Sequence, residues 1–199
     1  QRIAQATAAE QHALAQLTEH LRIAQHLPLL EEQVATLEGK RPLENVKCLW
    51  VTHLLGDVWP LADALRRAGL RPSDTQLVGT PYGSAPAVDE ALRHEGFVPR
   101  IAGLDEGDYR ARVVEALDAL SREHQKNPVR GLLVIDDGGL VATVLHDTPR
   151  FAPLIPAIRI VEQTTAGVML AEKQHLQVPL MPVAEWESKK YEGKLIVEV

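Results

Sequence analysis

From about position 46 onward the chain repeats one rhythm: a short, nearly unbroken apolar run, then a stretch in which apolar residues return every three or four positions. Runs of the first kind at 46–52, 76–80, 131–135 and 158–161 predict strands, and 46–52 reads as a strand buried on both faces. The helical period predicts helices over 58–68, 86–94, 109–126 and 168–175. Gly69 and Gly96 stop the first two, and Val113, Leu117 and Leu120 turn inward from the third. A weaker strand at 97–101 contains Pro99, which favours a sheet edge. Residues 178–183 read as extended and 188–192 as a short helix. Strands separated by helices of this length pair in parallel, with right-handed crossovers. The predicted fold is therefore α/β: a doubly wound, three-layer (α/β/α), mostly parallel sheet.

The segment before position 46 has a different pattern. Over residues 2–25, Leu14, Leu17, Leu21 and Ala24 form a narrow apolar seam on one helix, suited to packing on the domain body or pairing with another helix. A second helix follows Pro28, with Leu29, Leu30, Val34 and Leu37 on one face and Gly39 as its stop, and residues 41–45 connect it to the first strand. The expected division is an N-terminal helical extension over 1–45 and an α/β domain over 46–199. The seam suggests self-association or domain docking through residues 2–25.

In a doubly wound sheet, ligands bind at the carboxyl ends of the strands, at the point where strand order reverses. Three strands deliver polar residues to that edge: the first ends in Thr52-His53, the third run in Asp136-Asp137-Gly138-Gly139, the last in Glu162-Gln163-Thr164-Thr165-Ala166-Gly167. His53 can act as an acid or base, or it can fill space while Asp57, four residues on, caps the next helix. Asp136 and Asp137 point to opposite faces if the strand persists, so one can cap a helix while the other meets a ligand. The glycines allow close backbone approach, but acid-plus-glycine is also common turn chemistry. Glu162, Gln163, Thr164 and Thr165 suit hydrogen bonds to sugar hydroxyls, or capping by Thr164 or Thr165. The charged run 185–192 reads as solvated surface.

Composition narrows the function. Of 199 residues, 45% are hydrophobic and 24% charged, which is ordinary globular chemistry. The net charge of −6 argues against nucleic acid as a partner. No apolar stretch is long enough for a membrane span and no signal-peptide pattern opens the chain, so a cytoplasmic, membrane-free setting is expected. The single Cys48 sits in an apolar run and reads as an inert buried thiol, and the histidines lack metal-ligand spacing, so no metal is expected. No G-x-G-x-x-G, P-loop lysine or G-x-S-x-G elbow is present, and residues 79–84 resemble a phosphate loop in composition only. The chain is expected to lack a dinucleotide-binding fold of its own. It opens on Gln1 rather than Met, as a segment of a longer protein would.

In this order, the motifs resemble the substrate-binding half of S-adenosylhomocysteine hydrolase. The resemblance runs from about His26 to Glu192, through His26-Leu-Pro-Leu-Leu30, Arg41-Pro-Leu-Glu-Asn-Val-Lys-Cys48, His53 with Asp57, Asp136-Asp-Gly-Gly139, Glu162-Gln-Thr-Thr-Ala-Gly167 and Ser188-Lys-Lys-Tyr-Glu192. It implies a place in one-carbon metabolism, and NAD-dependent oxidation of a ribose 3′-hydroxyl that acidifies the 4′ proton. Loss of homocysteine, addition of water and reduction follow. By the same resemblance, His53 is an acid/base near the 5′ carbon and Asp137 the family's catalytic aspartate. Lys189 helps deprotonate the 3′-hydroxyl, and Glu192 stands where the family places an aspartate by the ribose. Asp57, Asp136, Glu162, Gln163, Thr164 and Thr165 fall with the substrate-binding residues. The sequence departs from the family at three places. Gln163 replaces the catalytic second glutamate, Leu55 replaces an adenine-facing threonine, and Thr80-Pro-Tyr-Gly-Ser-Ala-Pro86 replaces Asn-x-x-Ser-Thr-Gln-Asp. NAD is implied only with a downstream domain; this chain alone is expected to bind none. The expectation is a domain for a nucleoside or thioether-type ligand, inactive without an NAD-binding domain. The alternative is a non-catalytic ligand-binding or scaffolding module derived from the same fold.

Overall fold

The computed structural model describes residues 39–185 except 104, 129, 130, 175 and 177, together with residue 32 and residues 34–37. The helix expected at 2–25, the start of the one after Pro28, and the site candidates Lys189 and Glu192 lie outside the described residues. Six strands form one sheet in the order β3-β2-β1-β4-β5-β6: β1 Val46–Leu54, β2 Thr75–Ser84, β3 Pro99–Ile101, β4 Gly131–Asp136, β5 Ile158–Glu162 and β6 Leu180–Pro182. Every pairing among them is parallel, so the mostly parallel expectation resolves to an all-parallel sheet.

β1 is central because its residues are apolar on both faces: Cys48, Leu49, Trp50 and Val51 are all fully buried. One face packs Cys48, Trp50 and Leu54 against α1 Val58–Arg67 and α2 Pro86–His94, through Val58, Ala62 and Leu92, with Phe97 meeting Trp50 edge to face at 6.2 Å. The other packs Leu49, Val51 and Val134 against α3 Glu106–Lys126 and α4 Leu140–Asp147, through Val113, Leu117, Val141 and Val144. Each such buried aliphatic side chain contributes about 1.5–3 kcal/mol. Cys48 lies inside this core, as expected, and burial pushes its thiol well above the ordinary range. β3 sits at the edge, as Pro99 requires, because its missing N–H faces no partner there.

Several boundaries differ from the pattern-based expectation. β2 runs on to Ser84 rather than stopping at 80. The helix expected at 168–175 is α5 Thr165–Lys173, which begins three residues early because Thr164 caps it. α4, and the 3-10 stretch Pro149–Ala157 after it, occupy a segment to which the apolar pattern assigned no element. Strand order carries a further correction. The order 3-2-1-4-5-6 is the one on which dinucleotide-binding domains are built. The topology therefore does not set this chain apart from such domains, and any difference rests on the β1–α1 turn.

Candidate functional site

Strand order reverses between β1 and β4, which pair side by side. That switch point carries the site. His53, near the end of β1, and Asp137, just past β4, are 84 residues apart in sequence, yet the Asp137 carboxylate accepts from the His53 ring at Nδ1. The same oxygen accepts the His53 backbone N–H at 3.4 Å. The Asp137 side chain is nearly buried and the imidazole is partly open to solvent. The bond from Asp137 raises the proton affinity of His53 above its ordinary value; burial opposes this, and the charges of Asp137 and Asp57 add to it. Nδ1 is committed to Asp137, and Nε2 has no hydrogen-bond partner among the described residues.

The neighbouring acid has the opposite job. Asp136 is fully buried and accepts from the backbone N–H groups of Asp137 at 3.0 Å, Val141 at 2.9 Å and Ala142 at 3.3 Å. It does so because the N-cap residue of α4 is Gly139, in the left-handed region at φ 76°, with no side chain to offer. Asp136 thus secures α4 while Asp137 faces His53, the division that alternation along a strand allows.

Asp136 and Glu162 are register partners on β4 and β5, so two fully buried carboxyls stand side by side. Burial and the Glu162 charge push Asp136 up to about 8, and burial also raises Glu162. Glu162 Oε1 accepts from Thr164 N–H at 2.8 Å, Thr164 Oγ1 at 2.7 Å and Gly138 N–H at 3.2 Å, whereas Oε2 has no partner among the described residues. A methyl group on Gly167 would collide with this carboxyl, so the start of α5 lies directly against it. Thr164, not Thr165, is the cap of α5, accepting from Gly167 N–H at 3.0 Å. Gln163 donates its backbone N–H to the Asp136 carbonyl, and its buried Nε2 has no partner among the described residues.

Asp57 does not cap α1 with its side chain. Its backbone is already helical, at φ −71° and ψ −20°, whereas a capping side chain needs an extended residue. It stays exposed at the helix start, acting on His53 through its charge.

Two residues that meet His53 were not singled out by sequence reasoning, and neither was Tyr109. Pairing moves from Thr52 opposite Gly79 to Leu54 opposite Ser84, two steps on β1 against five on β2, so β2 bulges over the end of β1. The bulge sets the Tyr82 ring against His53 at 5.1 Å and places Gly83, at φ 81°, where a Cβ would lie 2.9 Å from His53 Cδ2. Tyr109, in the first turns of α3, is buried, and its hydroxyl has no partner among the described residues. A tyrosine beside glycine at a strand end, and one opening a crossover helix, are signals that could have found both.

A cleft of about 500 Å³ opens away from the His53–Asp137 pair, among Asn45, Lys47, Arg71, Asp74 and Glu123 at the amino end of β1. Its Lys47 is already held by Glu123 at 2.6 Å and Asp74 at 3.2 Å, so it carries structural ion pairs rather than convergent free groups.

Fold and site together define a Rossmann-like, doubly wound α/β domain with a histidine–aspartate pair at its switch point. Two curated adenosylhomocysteinases are similar to the chain. The one from Gloeothece citriformis is 26% identical over 173 residues, covering 83% of this chain and 37% of that protein. The one from Gloeobacter violaceus is 29% identical over 177 residues, covering 84% and 38%. No family model matches the chain. The chain is distantly related to the adenosylhomocysteinases, and it spans less than half the length of the curated relatives it matches. Among the described residues, no helix is long and apolar enough to cross a membrane.

Proposed function

We propose that this chain is the substrate-binding part of an adenosylhomocysteinase-like protein, taking a nucleoside or thioether-type small molecule at the switch point. His53 is its acid/base group and Asp137 the carboxylate that orients it. The observation that carries this reading is the His53–Asp137 pair, formed where doubly wound sheets bind their ligands. Asp137 fixes the ring and raises its proton affinity, which suits an imidazole that donates a proton to a leaving group and later takes one back. Lys189 and Glu192 keep the ribose roles that the family resemblance implies.

Hydride chemistry in the resembled family belongs to NAD. The β1–α1 turn, where a sheet of this order receives a pyrophosphate, reads Leu54-Leu55-Gly56-Asp57 here, and Asp57 exposes its carboxylate at the helix start. A carboxylate there repels a pyrophosphate. These residues do not fit NAD, and no hydride step is assigned to this chain.

Two measurements test the reading. With NAD added, the isolated chain gives no turnover of S-adenosylhomocysteine above a protein-free control. By calorimetry it binds adenosine, and Asp137→Asn weakens that binding by about 1.5–3 kcal/mol, the worth of a hydrogen bond to a charged group. No detectable adenosine binding overturns the nucleoside reading.

Gln163 favours a second reading, a ligand-binding or scaffolding module without catalysis. Its amide stands where the resembled family has a catalytic glutamate, and it cannot take up a proton. Turnover by the longest natural form of the protein supports the enzyme; nucleoside binding without turnover supports the module.

A further inference from the structure

The β2 bulge holds an aromatic ring beside His53. Tyr82 meets the imidazole edge to face with centroids 5.1 Å apart, yet it is 59% exposed, so much of the phenol has no cover from the protein. Its backbone has little freedom. The buried Thr80 hydroxyl donates to the Tyr82 carbonyl at 2.5 Å, Gly83 follows in the left-handed region at φ 81°, and the Ala85 N–H returns to the Leu54 carbonyl at 2.9 Å. An exposed aromatic side chain on a fixed backbone is pre-organised for a partner, because little freedom is lost when one binds. Gly83 matters as well. A Cβ there would lie 2.9 Å from His53 Cδ2, the atom bonded to Nε2, so glycine keeps clear the approach to that nitrogen along the bulge.

We propose that Tyr82 is a stacking platform for a flat, unsaturated ring carried by the ligand, and that the chain reads this ring by its face rather than by its edges. The inference rests on the small-molecule reading of the switch point and deepens it, by assigning the ring of the ligand to a residue and a mode of contact. A ligand that reaches His53 Nε2 along the bulge passes beside Tyr82. A planar π-system gains by lying on another, and a base stacked on a tyrosine needs no matching of donors and acceptors. The bulge has little else to offer a ring. Over 80–85 its side chains are those of Thr, Pro, Tyr, Gly, Ser and Ala, with no amide, carboxylate or cation, and the Thr80 hydroxyl is spent on the Tyr82 carbonyl. Leu55, the residue after the paired end of β1, is exposed and apolar. With a face to stack on and few groups to meet its edges, rings that differ only at the edge should bind alike.

NMR of the full chain reads such stacking directly, since a ring lying on Tyr82 shifts the tyrosine ring protons through its ring current. Adenosine and inosine, which share the purine and differ at its edge, are titrated into the wild type. Both are expected to shift the Tyr82 signals and to bind within about fivefold of each other. Tyr82→Phe keeps the platform and should keep the affinity, whereas Tyr82→Leu should weaken both ligands by on the order of tenfold, within the range of one lost base stack. Adenosine that binds without moving the Tyr82 signals, equal affinity in Tyr82→Leu, or a larger preference for one purine overturns the inference and leaves the nucleoside reading standing. A loss in Tyr82→Phe as large as that in Tyr82→Leu assigns the effect to the hydroxyl and overturns the platform. If neither nucleoside binds, the nucleoside reading falls and the free base purine decides: shifted Tyr82 signals keep the platform, and unmoved ones overturn it as well.

Discussion

At the residue scale His53 and Asp137 form a pair whose coupling can be read directly. Asp137→Asn keeps the shape but withdraws the negative charge, so the His53 imidazole should titrate closer to its ordinary value of 6.5 when followed by NMR. An unchanged titration would show that the pair does not form in solution. Asp136 tests differently, because its three backbone partners make it a structural anchor. Asp136→Ala should cost about 2–4 kcal/mol in urea unfolding, combining a lost cap with buried donors left unpaired. Both aspartates were legible from the pattern, since consecutive residues of a strand face opposite ways. Which one did which job was not, because that depends on Gly139 leaving α4 without a capping side chain. The capping role open to Asp57 likewise failed on backbone dihedrals that no residue-level rule supplies.

At the scale of elements, two close approaches hold the carboxyl edge together. The start of α5 lies on the Glu162 carboxyl at Gly167, and the β2 bulge lies on the His53 ring at Gly83. Gly167→Ala must push a buried carboxyl aside and should lose about 1–3 kcal/mol of stability, as overpacking does. Gly83→Ala meets a side chain at the open edge and also strains a left-handed residue. Its signature should be a displaced His53 titration as well as lost stability. A chemical-denaturation series on the two variants, with the His53 titration followed in parallel, checks both outcomes. If Gly167→Ala is as stable as the wild type, the packing of α5 on Glu162 is wrong. Strand positions were visible in the apolar runs. The bulge was not, because Thr80-Pro81-Tyr82-Gly83 reads as a turn and only pairing with β1 shows where its extra residues go.

For the whole molecule, the pH dependence of stability has a definite sign. Asp136, Glu162 and His53 all hold their protons more tightly in the folded state than in the unfolded one. The native state therefore binds more protons, and stability falls as pH rises. The carboxyl contribution is fully present below the ordinary value of 3.8 for Asp136 and is lost as pH climbs towards about 8. The His53 contribution is present below 6.5 and is lost above it. Urea midpoints should thus decrease from about pH 5 to pH 8.5, and Glu162→Gln should flatten the fall by removing one of the paired acids. A midpoint that rises with pH over this range would contradict the picture of two buried acids whose proton affinities are raised by folding.

The sequence by itself determined the layered α/β class, the parallel strands, the edge position of the strand with Pro99 and the three polar strand ends. Each of these follows from local periodicity or from a backbone restriction carried by a single residue. Tertiary structure decided what periodicity cannot encode. Strand order put β1 beside β4 and so joined His53 to Asp137 across 84 residues. Register set Asp136 against Glu162, and a bulge carried Tyr82 over the imidazole. Packing of α3 buried the Tyr109 hydroxyl in the layer that carries those acids. All four are relations between segments far apart in the chain, fixed only when the faces of the sheet are covered and the polar groups at its edge must find partners.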